Sequence, residues 1–359
     1  MQAFVTPYQV CYHAKTQSTK TIMRIALQQM DNLGDVILAF PMAALIKKKH
    51  PKAKIILIAR ESSRAVAALC ADIDEFYAAS SKEEDGSAQI QNLQDLKLDV
   101  LIHVATGKKP ILKWAKAARI PLRIGSLRRL HHIMTCNRFV YVKRQRTPEN
   151  EAVLNTKLLK SLGIDQHLSF AELNNIIHLN PLPELSPKVA AFLDPKRFNL
   201  VIHPGSSAQH TASKEWPEGY YLKLLELLDP KKYNIMVTGV IGTESERFKH
   251  FIEDPRVQNL MGQLNIPELV QLIEHSDALL CGSTGPLHIA GLLNKKCLGL
   301  YLPHPSKNAT RWGPFGSNSE IITAENCSHC QTTLKPKEDA CQCMRTILPE
   351  TVAERINRW

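Results

Sequence analysis

The sequence predicts an α/β protein of two Rossmann-like domains facing each other across a cleft, and three observations carry that prediction. Short apolar runs alternate with longer amphipathic segments from residue 24 to about residue 300, the pattern of βαβ units around buried parallel strands. The Pro-rich stretch Asn180-Pro181-Leu182-Pro183-Glu184-Leu185-Ser186-Pro187 interrupts this alternation and reads as a linker. A chain of 359 residues suits two domains of roughly 150 to 170 residues, each large enough for its own core.

In chain order, residues 1–22 read as a poorly ordered extension, with Met23 a candidate start ahead of the apolar run Ile25-Ala26-Leu27. The first domain is expected over 23–180, with strands at 24–28, 54–59 and 99–104 and helices near 35–49 and 61–71. After a linker at 181–190 the alternation restarts over 191–340. Strands are expected there at 199–203, 233–238, 277–281 and 297–301, with helices near 217–228, 243–252 and 286–295. Residues 341–359 form a last segment expected to return to the first domain. In sheets of this kind ligands collect at the carboxyl ends of the strands, so the loops that follow them are the candidate site.

Composition narrows the function. The apolar share is 44% with 22% charged residues, and no stretch approaches the ~20 uninterrupted apolar residues of a membrane span. The first twenty residues carry no charged segment leading into an apolar one, so a cytoplasmic location is expected. A net charge of +11 favours an anionic partner, and basic residues are dense from Lys108 to Arg146, either as a working surface or as a solvated helical face. The pattern Cys327-x-x-Cys330 with Cys341-x-Cys343 is compatible with zinc, but its second half is CxC, and packed free thiols are the preferred reading.

Four segments carry candidate chemistry. Asn32-Leu33-Gly34-Asp35 leads from the first strand into a helix, where Asp35 is either a general base or a helix cap. His203-Pro204-Gly205-Ser206-Ser207, with Lys214 following, offers amides, hydroxyls and a point charge to a diphosphate; alternatively it is an ordinary βα loop stapled by Trp216 and Pro217. Thr238-Gly239 leads to Glu244, which can bind ribose hydroxyls, although Thr243 and Glu246 also match a capping box. Ser283-Thr284-Gly285-Pro286 opens a helix whose amides make a phosphate cradle, with His288 inside that helix read as packed and hydrogen-bonded. Asp72-Ile73-Asp74 imitates a metal-binding DxD and reads as a surface turn. No Walker loop, GxSxG elbow or complete GxGxxG follows a strand.

Together these pieces resemble glycosyltransferase family 9, the ADP-heptose:lipopolysaccharide heptosyltransferases, from about residue 23 onward. The matching segments are Asn32-Leu33-Gly34-Asp35-Val36 with Pro41, His203-Pro204-Gly205-Ser206, Lys214-Glu215-Trp216-Pro217, Thr284-Gly285-Pro286-Leu287-His288-Ile289-Ala290 and Arg311-Trp312-Gly313-Pro314-Phe315-Gly316. The resemblance implies a GT-B fold and metal-independent, inverting transfer of a heptose from an ADP-sugar co-substrate. Asp35 would be the base, and Lys214 and the Gly285 helix terminus would stabilise the departing ADP. Gly205, Ser206, Ser207, Gly239, Glu244, Ser283, Thr284, Pro286 and His288 would complete the donor side. Asn32, Gly34, Lys108, Lys109, Arg123 and Arg138 would meet an acidic, lipid-linked saccharide at the cytoplasmic face of the inner membrane. Ser283 departs from the family, which usually carries Asp there, and losing such a charged hydrogen bond costs ~1.5–3 kcal/mol.

Two other readings stand beside this one: a related transferase with another nucleotide sugar or acceptor, and a silent GT-B protein that binds nucleotide sugar or glycolipid. Nucleic-acid binding is not expected, because Trp114, Phe139 and Tyr141 are too few to serve as stacking platforms in the basic region.

Overall fold

A computed structural model describes residues 22–80, 82, 85–105, 107, 110–127, 130–144, 147–205, 214–325 and 342–359. The first sheet contains β1 (Arg24–Gln28), β2 (Lys54–Ala59), β3 (Glu75–Ala78), β4 (Val100–His103), β5 (Leu122–Ser126) and β6 (Arg138–Val140). Its spatial order is β3-β2-β1-β4-β5-β6 with every pair parallel. The second sheet contains β7 (Phe198–His203), β8 (Tyr233–Val237), β9 (Val257–Asn259), β10 (Ala278–Gly282), β11 (Lys296–Tyr301) and β12 (Ser319–Thr323). Its order, β12-β11-β10-β7-β8-β9, is the same topology run a second time, also wholly parallel. Strand order reverses beside β1 and beside β7, and each reversal opens a crevice at the carboxyl ends of the strands.

The first sheet carries α1 (Leu33–Ile37), α2 (Phe40–Lys49), α3 (Arg64–Ala67), α4 (Gly86–Asp95), α5 (Ile111–Ala117), α6 (Leu130–Thr135), α7 (Glu151–Thr156) and α8 (Phe170–Asn174). The second carries α9 (Pro187–Ala190), α10 (Glu218–Leu227), α11 (Thr243–Arg247), α12 (Lys249–Ile252), α13 (Ile266–His275), α14 (Gly285–Leu292), α15 (Ala309–Trp312) and α16 (Pro349–Asn357). The single helix expected at 35–49 is two. Pro41 has no N–H and its ring opposes the carbonyl four residues back, so α1 ends at Ile37 and α2 restarts with Pro41 in its first turn.

The strands expected at the centre of each sheet form where the apolar runs lie, and Ile25, Ile55, Ile56, Ile102, Leu200, Val201 and Leu280 are fully buried. The outlying strands β3, β6, β9 and β12 have half-buried, more polar sequences and escaped the periodicity reading, as did the short β5 between β4 and β6, whose run Leu122-Arg123-Ile124-Gly125-Ser126 is broken by Arg123 and Gly125. The two domains touch through α1 against α14 and α3 against α13, and a continuous apolar core runs from Leu27 and Val36 to Leu287 and Ile289.

The last segment corrects one expectation. It stays with the second domain: α16 packs on α10, Tyr233 Oη donates to Ile356 O at 3.3 Å and to Asn357 Oδ1 at 2.9 Å, and Trp216 Nε1 donates to Ile347 O at 2.8 Å. The apolar face of this helix is satisfied locally, beside buried Tyr221 and Tyr233.

Candidate functional site

A cavity of about 710 Å³ lies between the domains, walled on one side by the loops after β1 and β2 and on the other by those after β7, β8 and β10. The first domain contributes Asp31, Asn32, Gly34, Asp35 and Arg60. The second contributes His203, Gly205, Lys214, Gly239, Glu244, the turn Ser283–Pro286 and His288, with Lys307 beyond them.

Asp35 sits in the first turn of α1, and its Oδ2 accepts from the Asn32 backbone N–H at 3.0 Å. The cap and the cleft-facing carboxylate are therefore one group: the hydrogen bond that starts the helix also fixes the acid's orientation. Opposite it, Thr284 is the N-cap of α14, yet its hydroxyl points to Gly282 O at 3.4 Å and makes no side-chain cap. The amide end of α14 is thus directed into the cleft, the arrangement that attracts an anion.

The two helix starts meet at atomic contact. A Cβ on Gly34 would lie 2.5 Å from His288 Cδ2, and one on Gly285 would lie 3.2 Å from Leu33 Cβ. His288 is buried, as expected, but its Nδ1 has no hydrogen-bond partner among the described residues, so the expected bond is absent. Burial lowers its pKa to about 4. His203 is likewise held neutral, at about 4, and its Nδ1 lies 3.1 Å from Thr238 Oγ1.

Glu244 lies at the base of the donor wall. The capping box that closes the start of α11 uses Ser245, whose Oγ accepts from Gly242 N–H at 3.0 Å, in place of the Thr243–Glu246 pair the sequence suggested. Glu244 is turned inward, across Gly205 and Gly239, where an added Cβ would meet its side chain at 2.5 and 2.4 Å. Only 3% of it is exposed, and burial, with Glu215 nearby, pushes its pKa up to about 7 against the opposing pull of the Val240 backbone N–H and Arg247. A buried carboxylate beside a cavity has more acceptor sites than one amide can fill and is poised to accept hydroxyl donors. Glu215, next to Lys214, is clamped by Arg247 in a bidentate pair at 2.7 and 2.8 Å, which fixes the chain where Lys214 enters the cleft.

The model of glycosyltransferase family 9 (heptosyltransferase) matches residues 89–340. The chain belongs to glycosyltransferase family 9. Among its relatives, lipooligosaccharide heptosyltransferase 2 of Campylobacter jejuni is 23% identical over 344 residues, covering 94% of this chain and 99% of the relative. A family 9 glycosyltransferase structure from Veillonella parvula superposes with a TM-score of 0.78 at 16% identity, over 95% of this chain and 98% of that one. An Escherichia coli heptosyltransferase solved with ADP superposes with a TM-score of 0.68 at 16% identity, over 94% and 99%. The protein is a glycosyltransferase with the GT-B architecture of these enzymes.

Against this family 9 frame, several sequence-predicted residues gather in the cleft and others do not. Asn32, Gly34, Asp35, Gly205, Lys214, Gly239, Glu244, Ser283, Thr284, Gly285, Pro286 and His288 line a single cavity. Ser206, Ser207, Lys108 and Lys109 lie outside the described residues, as do Cys327, Cys330 and Cys341 of the cysteine pattern; Cys343 is buried. Arg123 and Arg138 correct the acceptor assignment. Both stand at the amino ends of their strands, away from the cleft, and the Arg123 guanidinium is occupied by the carbonyls of Ile120 and Thr135. Asp72 and Asp74 serve structure: Asp74 accepts from Ile55 N–H at 2.7 Å and pairs with Lys47 and Lys54, and Asp72 pairs with His178.

Sequence reasoning missed Arg60 and Lys307, two cations that line the cavity along with Lys214. Arg60 directly follows β2, so the rule that ligands gather at strand ends was signal enough to find it. Lys307 lies in a polar loop between β11 and α15 and carried no such signal.

Proposed function

We propose that the enzyme moves a heptose from ADP-heptose to the inner core of lipopolysaccharide, with inversion and without a metal in the transfer step. The observation that carries this reading is the placement of Asp35 on one wall of the cleft, facing Lys214 and the amide end of α14 on the other. In this reading Asp35 takes the proton of an acceptor hydroxyl as its oxygen attacks the anomeric carbon. The carbon–oxygen bond to the diphosphate breaks on the opposite face, and the electron pair leaves with ADP. Lys214 and the α14 terminus meet the charge that develops there, preorganised so that little rearrangement is needed. Glu244 accepts from the ribose hydroxyls.

Acceptor binding would use Arg60 on the cleft wall and a lipid-facing surface around α6. There Leu127, Leu130, Ile133 and Met134 are 50–84% exposed, an apolar strip beside Lys113, Lys116 and Arg119. Among the described residues no helix is long and apolar enough to cross a membrane, so contact would be peripheral. Ser283 hydrogen-bonds to buried Tyr301 and offers the sugar no charge, which leaves donor choice to the rest of the wall.

Calorimetric titration with ADP, UDP, GDP and ADP-heptose tests the donor. Selective binding of ADP and ADP-heptose, weakened in Lys214→Ala, is expected; preference for another nucleotide points to a different donor, and no binding to a silent relative. Asp35→Asn should remove turnover while nucleotide binding stays within about twofold, and equal loss of both would remove Asp35 from the role of base.

A further inference from the structure

The first sheet holds a group of residues that the transfer chemistry does not use. His103 ends β4, and His131 and His132 lie on α6; one ring nitrogen from each falls within 4.8 Å of the other two. His103 and His132 are 2% and 1% exposed, and the three rings stack edge to face at centroid separations of 4.4 to 6.2 Å. Three imidazoles gathered inside a protein are costly as cations and compatible with one another as neutral ligands.

Their surroundings already orient two of them. His132 Nδ1 lies 2.9 Å from the Ser126 carbonyl, so Nδ1 carries the proton and Nε2 the lone pair. His103 is held between two oxygens, Gln28 Oε1 at Nδ1 and Gly107 O 3.3 Å from Nε2, and these fix the plane of its ring. A carbonyl oxygen on the far nitrogen is the second-shell pattern that fixes the tautomer of a metal-bound histidine. Gln28 and His103 face each other in register at the carboxyl ends of β1 and β4, where strand order reverses and ligands of such sheets collect.

We propose that His103, His131 and His132 bind a divalent transition ion of the zinc class on the first domain, leaving a fourth position for water or an anionic oxygen. Ligand nitrogens around such an ion stand about 3.4 Å apart, so the set closes with side-chain shifts of roughly an ångström. Half-buried His131 gives the ion its way in. None of the three lines the donor cleft, so the ion is separate from the transfer step.

Cobalt(II) titration of the chelator-treated full chain tests this. The expected result is one equivalent bound with visible d–d bands and no thiolate charge-transfer absorption, unchanged in Cys327→Ser/Cys330→Ser. Affinity should fall on the order of 100-fold in His132→Gln and in His131→Gln, since loss of a mere supporting contact already costs 10–100-fold. His131→Gln replaces a half-buried side chain, so it keeps the test open if the His132 variant melts early. No binding, binding marked by thiolate absorption and abolished by the cysteine substitutions, or equal affinity in the His131 variant would each overturn the proposal.

Discussion

Gly34 and His288 show how one residue can set the distance between two domains. With a Cβ predicted 2.5 Å from the imidazole, Gly34→Ala must push α1 from α14 or tilt the ring, and neither has room among fully buried neighbours. Overpacking of this kind costs about 1–3 kcal/mol, so thermal unfolding should show that loss together with reduced turnover, and His288→Ala should recover part of it in the double variant. Glu244 was legible as a candidate but not as a buried acid, because burial came from Gly205 and Gly239, each on a different loop. Its folded pKa of about 7 stands above the ordinary carboxyl value, so the unliganded site is half protonated near neutrality. Hydroxyl donors favour the ionised form; ADP affinity should therefore rise with pH by up to about tenfold per unit below 7, level off above it, and lose this slope in Glu244→Gln. Calorimetry from pH 5.5 to 8.5 reads that slope directly.

At the scale of elements, the β-strands at the sheet centres, the Pro41 break and the Pro-started α14 all follow from local chemistry that any reader of the sequence can apply. The contact between α7 and α15 does not. Glu151 on α7 is 2% exposed and pairs with Arg144 and, at 2.6 Å, with Arg311 of α15, while Asn150 Nδ2 donates to Gly313 O at 3.2 Å. An acid between two cations, all nearly dry, ties the first domain to the second through residues about 160 positions apart. The basic run Lys108–Arg146 suggested a surface, yet Arg144 at its end is interior because Glu151 neutralises it. Glu151→Gln would leave two buried guanidinium groups without their counterion. A loss of about 3–5 kcal/mol in urea unfolding is expected, with little change in the far-UV spectrum.

For the whole molecule, pH acts on the domain junction and the donor wall together. His203 and His288 both have folded pKa values near 4, depressed by burial, so their contribution to stability is complete above the ordinary histidine value and is lost as pH falls from about 6.5 toward 4. Glu244 has the opposite sign, favouring the fold below the ordinary carboxyl value and losing that advantage as pH rises through 7. Two histidines outweigh one acid, so the melting temperature should fall between pH 7 and 4.5, and His288→Gln should flatten that fall; an unchanged profile would remove His288 as a contributor. The sequence by itself determined the α/β class, the doubled alternation and the loops that bear Asp35, Lys214, Glu244 and Gly285, because apolar period, proline and glycine act on neighbours a few residues away. Tertiary structure alone decided which residues share a space. It set Gly34 against His288, tied Arg144 and Arg311 to Glu151, sent Arg123 away from the cleft and gathered three histidines, because those outcomes depend on how parallel strands far apart in the chain are ordered side by side.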